Sequence, residues 1–301
     1  MEPHREERAM FLDYIVAYFD VMGQKKKLNQ LRKTPTNEQE EKEFIDTANQ
    51  TYTVVKNIRE RLKMSLELYR EVSCAHIDAT FGSEESQKTQ LRNLVESNYQ
   101  FNFLSDCFAV TSRYRNDENE PLIQHVFGLL WSLSAMMITT LGNHAPIRGA
   151  IEIGKAFVWP EGDDVGVYGP IMLDVHELES QIAWYPRIVI GDKLINNING
   201  WGKNVENRNC YYGHYKPIIK LCKDMIWTDK DGIPTLDYLS QEFFRLVKPI
   251  PQMRMNVKSG WEFISHEYEI CKDNKDSQIA LKYSLLKDYY LNRLEIWDIE
   301  K

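Results

Sequence analysis

Apolar residues along this chain change period several times, and each change marks an element. Tyr14-Ile15-Val16-Ala17-Tyr18-Phe19 is an apolar run that ends in Asp20 and then Gly23, which reads as a buried strand carrying its acid to the sheet edge at a turn. Thr34-Pro35-Thr36-Asn37 offers a helix stop and a new N-cap. Beyond it Phe44, Ile45, Ala48, Tyr52, Val55, Ile58, Leu62 and Leu66 fall at spacings of three and four, apart from one adjacent pair. That spacing predicts a long helix with one apolar stripe through roughly six turns. Residues 78–97 are mostly polar until Leu91, Leu94 and Val95 and read as loop with a short helix, after which 102–104 and 107–111 form the arms of a hairpin bent at Ser105-Asp106.

Pro121 opens a second helix at its first turn. Ile123, Val126, Phe127, Leu130, Leu133, Met137 and Leu141 form its core side, and Gly142-Asn143 closes it. Residues 147–158 are rich in strand formers, with Gly149 and Gly154 where a backbone or ligand can approach closely. A turn at Gly162-Asp163-Asp164, a returning strand at 165–168, a helix from Gly169-Pro170 through Ser180 and a short strand at 186–190 follow. Strand, helix, paired strands, helix, strands, helix, strand is the split βαββαβ pattern with additions: a mixed α/β (α+β), ferredoxin-like sheet with helices on one face. Beyond Gly191 the asparagines at 196, 197, 199, 204, 207 and 209 suggest loop, residues 225–228 and 235–239 a hairpin turning at 229–232, and 276–294 a last helix. The expected division is a core unit over 1–192 and an accessory region over 193–301 packed on it.

Composition narrows the class. With 301 residues, 43% hydrophobic and 12% aromatic, the chain can bury a sizeable core. A net charge of -7 argues against a nucleic-acid partner, which demands a basic face, but is compatible with a small nucleotide bound through metal. Cys74, Cys107, Cys210, Cys222 and Cys271 are odd in number and lack CxxC spacing, which disfavours a disulfide framework or a zinc site and points to a reducing cytoplasm. His76, His125, His144, His176 and His214 have no metal-ligand spacing. The charged start of the chain and the lack of an apolar run near ~20 residues imply a soluble protein with no membrane partner.

The chemistry lies in Asp20 and Asp106, each at the end or bend of an apolar strand. Two carboxylates on neighbouring strands suit divalent cations that neutralise a triphosphate, so the chain reads as a nucleotide-handling enzyme. Phe-Asp-x-x-Gly at 19–23, Ser-Asp-x-Phe at 105–108, Arg-Gly-x-Ile-x-x-Gly at 148–154, Tyr-Gly-Pro at 168–170 leading to Leu-Glu-Ser, and Pro-Arg-Ile-Val-Ile at 186–190 follow in that order. Together they resemble the class III nucleotidyl cyclase catalytic domain, and within it most the bacterial Pycsar anti-phage pyrimidine cyclases, over Tyr14 to about Ile190.

The resemblance implies that Asp20 and Asp106, with the Val21 carbonyl, hold two Mg²⁺ or Mn²⁺ ions. Backbone N–H groups of Met22, Gly23, Gln24 and Lys25 would cradle phosphates, and Arg148 would grip the triphosphate. It implies attack of the ribose 3′-oxygen on the α-phosphorus with loss of pyrophosphate, a homodimer with sites at the interface, and a separate effector that binds the cyclic product. In purine cyclases a lysine or glutamate four residues before the second aspartate reads the base; here that place is Asn102, and the second base-reading acid falls near Gly166. Asn102 offers a donor and an acceptor to a pyrimidine, with UTP placed ahead of CTP. The asparagine and arginine of the following helix correspond to Leu173 and Glu177, so another cation must meet the transition-state charge or the domain is silent.

Plainer roles stand beside these. Asp20 can cap a turn, Arg148 can bridge a surface acid, Asn102 can satisfy backbone groups, and Lys25 to Lys27 can form a solvated face. Tyr52 is a candidate for base stacking, with core packing the favoured role. The rival functions are a purine cyclase with atypical base reading and a silent cyclase-like nucleotide-binding or scaffold domain.

Overall fold

The computed structural model describes residues 10–80, 85, 88–89, 92, 99–104, 106–115, 121–161, 164–201 and 212–300. The short helix expected around Leu91 to Val95, Ser105, the Gly162-Asp163 turn residues and the stretch from Gly202 to Cys210 lie outside them. The chain runs β1 (Met10–Val21), α1 (Gln24–Gln30), α2 (Glu38–Thr80), β2 (Gln100–Leu104), β3 (Cys107–Arg113), α3 (Ile123–Gly142), β4 (Ile147–Glu161), β5 (Asp164–Tyr168), α4 (Pro170–Glu177) and β6 (Ile188–Ile190). α4 runs on into a π turn, Leu178–Ile182.

β2, β3, β1 and β4 lie side by side with every neighbour antiparallel, the strand order of a ferredoxin-like βαββαβ unit. β6 continues the sheet parallel to β4, β5 folds back on the far end of β4, and β8 (Pro234–Leu236) and β7 (Ile226–Thr228) extend it to eight strands. Strand alternation sorts β1 cleanly. Ile15, Ala17, Phe19 and Val21 face the main core, whereas Tyr14 and Val16 face a smaller cluster formed with Ile171 and Val175.

Helices therefore cover both faces of the sheet, not one. α2 and α3 lie over the first face, and α4 over the second, where Ala109, Ala150 and Ala156 leave room for it. α3 is buried nearly all round; it is long and apolar enough to span a membrane by length and composition, but 89% of its apolar window is inside the protein. It starts at Ile123, and Pro121 instead forms a β-bridge with Arg115. The α2 stripe is displaced from the expected one: Thr51, Val55, Ile58, Leu62, Leu66 and Tyr69 are buried, whereas Ile45 and Tyr52 are exposed.

The C-terminal part is more helical than its asparagines suggest. α5 (Asp192–Gly200) includes Asn196, Asn197 and Asn199, because buried Leu194 and Ile198 anchor one side. Glu152 on β4 also accepts the Lys193 and Leu194 N–H groups at 3.1 and 2.8 Å, satisfying the first turn. α6 (Tyr212–Asp224), α7 (Gln241–Val247), α8 (Pro251–Asp273) and α9 (Ser277–Leu291) follow. The β7–β8 hairpin is locked onto the core by Arg187 of the Pro-Arg-Ile segment. This arginine is buried and bonds Asp229 and Asp231 at 2.6 Å each, and Tyr185 donates to the same Asp229 carboxylate.

Candidate active site

The site is assembled at one end of the two central strands. Antiparallel pairing puts Asp20 opposite Cys107 on β3 and opposite Arg148 on β4, so three chemically active side chains form one row across the second face. The Val21 N–H donates to the Asp106 carbonyl at 3.3 Å, which holds the hairpin bend against the end of β1. As a result Asp20, Asp106 and Cys107 each place one donor atom within 4.8 Å of the others. None of the three is deeply buried.

Arg148 binds Asp20 Oδ2 through Nε and Nη2, both at 3.2 Å. Its Nε also stands 2.8 Å from Glu179 Oε1, an ion pair rather than an aligned hydrogen bond. Glu179 comes from the π turn after α4 and is buried; desolvation first, with the Asp20 charge adding to it, lifts its carboxyl to about 7 against the pull of Arg148. On the other side of Asp20 the Cys107 thiol donates to Oδ1 at 3.7 Å, and the Tyr18 hydroxyl hydrogen-bonds the Cys107 sulfur. Burial, with Asp20 and Asp106 nearby, pushes the Cys107 thiol up to about 11, so it stands there as a neutral donor. Burial raises the Tyr18 hydroxyl as well.

Two carboxylates this close together suit a hard divalent cation, and Asp20 and Asp106 are the residues that would hold it. A neutral thiol is a poor ligand for such an ion, so Cys107 belongs to the support of Asp20. Val21 is buried, with its side chain in the main core and its N–H committed to Asp106.

The turn expected to cradle phosphate is partly spent. The Met22 N–H donates to the Pro146 carbonyl at 2.9 Å, so it is withdrawn from any ligand. Gly23 takes φ +83° and caps α1, leaving the Gly23, Gln24 and Lys25 N–H groups without a backbone acceptor among the described residues. Gln24 is buried, its Oε1 unpartnered, while Lys25 and Lys27 are exposed.

Asn102 lies on the same face as Asp20, because its partner Ala109 pairs in turn with Tyr18. It is two strands over and one side-chain row along, roughly 12 Å from Asp20 by strand spacing. Its Nδ2 is buried and has no hydrogen-bond partner among the described residues. Tyr52 is 61% exposed on α2, so the expected core role fails, and no described contact joins it to the acidic row. Leu173 and Glu177 are both exposed on α4.

The sequence reading missed Cys107, Tyr18 and Glu179 as parts of the site. Cys107 and Tyr18 become visible only through strand register, whereas Glu179 sits within the Leu-Glu-Ser segment already singled out.

No family model and no curated protein matches the chain. Among solved structures it is similar to a bacterial light-regulated adenylyl cyclase, at 10% identity and a TM-score of 0.38, over 82% of this chain and 58% of that one. It is also similar to the guanylyl cyclase Cya2, at 12% identity and a TM-score of 0.32, over 62% of this chain and 79% of that one. The chain thus spans 58% of the length of the light-regulated enzyme.

Proposed function

We propose that the protein is a nucleotidyl cyclase that converts a pyrimidine nucleoside triphosphate, UTP ahead of CTP, to its 3′,5′-cyclic monophosphate. The observation that carries this reading is the pairing of Asp20 with Asp106 at adjoining strand ends, with Arg148 in register beside them. In the reaction the bond from the 3′-oxygen to the α-phosphorus forms as the bond to the pyrophosphate oxygen breaks; the hydroxyl proton passes to solvent. Asp20 and Asp106 would hold the divalent cations, two Mg²⁺ or Mn²⁺ on the family resemblance, and when bound these would supply positive charge to the triphosphate.

The chain's own groups do the rest. Arg148 must turn from Asp20 toward phosphate when substrate arrives, and Glu179 keeps its guanidinium tethered during that turn. Free N–H groups at Gly23, Gln24 and Lys25 favour an anion. The unpartnered Asn102 Nδ2 fits a base carbonyl at the distance a nucleoside spans from its phosphates, and uracil offers one carbonyl more than cytosine. A homodimer and a role in anti-phage signalling through a separate effector follow from the resemblance to Pycsar cyclases; a cytoplasmic location, from the cysteine usage, and a catalytic unit over 1–192 with an accessory region over 193–301, from where the resemblance ends, complete the proposal.

Incubation of the protein with Mn²⁺ and an equimolar mixture of ATP, GTP, CTP and UTP tests it. Chromatography should show one cyclic pyrimidine, and Asp20→Ala or Asp106→Ala should remove it. A cyclic purine as the main product overturns the specificity. No product from any nucleotide overturns the activity and favours a silent nucleotide-binding domain, the second reading that Leu173 and Glu177 support.

A further inference from the structure

α3 ends in a turn that glycine or asparagine normally completes, and here a histidine completes it. The His144 N–H donates to the Leu141 carbonyl at 3.0 Å and the Ala145 N–H to the Thr140 carbonyl at 2.9 Å, which sets His144 at the left-handed position closing the helix, with φ +59°. A histidine gains nothing from that backbone, so its ring, not its conformation, explains it. The ring lies flat on Phe263 of α8, with centroids 4.7 Å apart and 9° between planes, and Tyr283 of α9 meets Phe263 edge-on at 6.0 Å. Two more contacts hold the same turn. Ser259 of α8 donates to the Gly142 carbonyl at 2.8 Å, and a Cβ on Gly142 would stand 2.8 Å from the Asn256 carbonyl oxygen, so glycine is what lets α8 come this close.

The far side of the turn reaches the candidate site. Two residues beyond His144, the Pro146 carbonyl accepts the Met22 N–H at 2.9 Å, and the next two residues, Ile147 and Arg148, pair with Val21 and Asp20. Asp20 and Arg148 are each one residue from a strand end, Val21 of β1 and Ile147 of β4, so the ladder anchors them chiefly from one side. On the other side the anchor is this turn, and α8 and α9 hold it.

We propose that His144 and Phe263 are positioning residues of the candidate site: their stack fixes the 142–146 turn and thereby holds Arg148 and the Met22 turn at the spacing the reaction needs. This rests on the cyclase reading above. Both act through Pro146 and Arg148 rather than on substrate. Alignment of Arg148 counts most in the transition state, where a misplacement of about 1 Å costs ~100-fold in rate, whereas a triphosphate in the ground state tolerates a looser grip. The region over 193–301 is then a working part of the catalytic unit, and whatever displaces α8 from the turn lowers activity.

Amide hydrogen exchange and kinetics on the full chain give the test. His144→Asn keeps a residue suited to the left-handed turn and removes the ring; Phe263→Leu removes the ring from the other side, and Phe263→Tyr keeps it. In His144→Asn and Phe263→Leu the Met22 amide should exchange about tenfold faster than in the unmodified protein, with the mid-strand amides of Val16 and Ala17 unchanged. Phe263→Tyr should exchange at the unmodified rate. For the nucleotide that turns over, each ring-removing variant should lower kcat about tenfold with KM changed less than about twofold, and the double variant should be no slower than either single one. A Met22 amide that exchanges within about twofold of the unmodified rate in His144→Asn overturns the assignment. So does a double variant whose losses multiply, or an unchanged kcat while Met22 exchanges fast. If Phe263→Leu does not fold, His144→Asn, altered only at an exposed side chain, decides alone. If the unmodified protein cyclises no nucleotide, the cyclase reading fails, while Met22 exchange still judges whether the stack holds the turn.

Discussion

Glu179 gives the sharpest physical test of the site, because a buried acid beside Arg148 makes stability depend on pH in a calculable way. Its carboxyl rises from the ordinary 4.5 to about 7, chiefly through desolvation. The protonated form is thus the one the fold prefers. The stability it contributes is complete below about pH 4.5 and is lost as pH rises through about 7. That displacement corresponds to about 3 kcal/mol at 1.36 kcal/mol per tenfold change in proton affinity. Water reaching the cleft around Arg148, whose side chain is 22% exposed, screens part of it and leaves about 2 kcal/mol. Glu179→Gln replaces the titrating carboxyl by an amide of the same shape. In a chain of this size about 2 kcal/mol is roughly 4 °C in Tm. Melting both proteins in EDTA at pH 4 and pH 8 should show the unmodified protein losing about 4 °C relative to the variant over that interval. A Tm difference that stays constant across the range refutes the reasoning, since the carboxyl would then ionise as easily in the fold as in the unfolded chain.

Arg187→Met strands the Asp229 carboxylate in a buried site and should cost about 3–5 kcal/mol in urea unfolding; a cost under about 1 kcal/mol would mean that Asp229 finds water instead. Gly23→Ala meets no atom within 4 Å, so its cost is backbone strain alone at φ +83°, about 1 kcal/mol by the same measurement, and an unchanged midpoint would show that the turn relaxes out of the left-handed region.

Much of the fold was legible because local signals and tertiary structure agreed. The apolar run at 14–19, the hairpin around Asp106 and the β4 segment each form strands, and their order with α2 and α3 yields the antiparallel neighbours of a βαββαβ unit. Disagreement came where long-range packing overrode local preference. The asparagines of α5 favour turns, yet two buried side chains and the Glu152 carboxylate hold them in a helix. The α2 stripe was drawn through Tyr52, but Thr51 takes the inward position, its hydroxyl bonding the Thr47 and Ala48 carbonyls, and Tyr52 turns out to solvent. α4 was assigned to the wrong face because a linear pattern says which residues are apolar and not which side of the sheet receives them; the alanines of the second face settle that only after β1, β3 and β4 pair.

The site divides along the same line. Asp20, Asp106 and Arg148 were readable because each sits in a short motif at a strand end, and strand pairing then sets them in one place. The groups that tune them were not readable, since each arrives from a different distance in the chain. Cys107 meets Asp20 through register, and Glu179 comes back from the π turn to hold Arg148. Met22 shows the converse: its N–H sits in the right motif but is consumed by Pro146, a partner more than a hundred residues away that no local pattern names. The motif residues bring carboxylates and one arginine. Their charge states and freedom to move are set by residues that only the folded chain brings near, so the substitution that most changes this site's response to pH is expected at Glu179 rather than within the short runs that carry Asp20, Asp106 and Arg148.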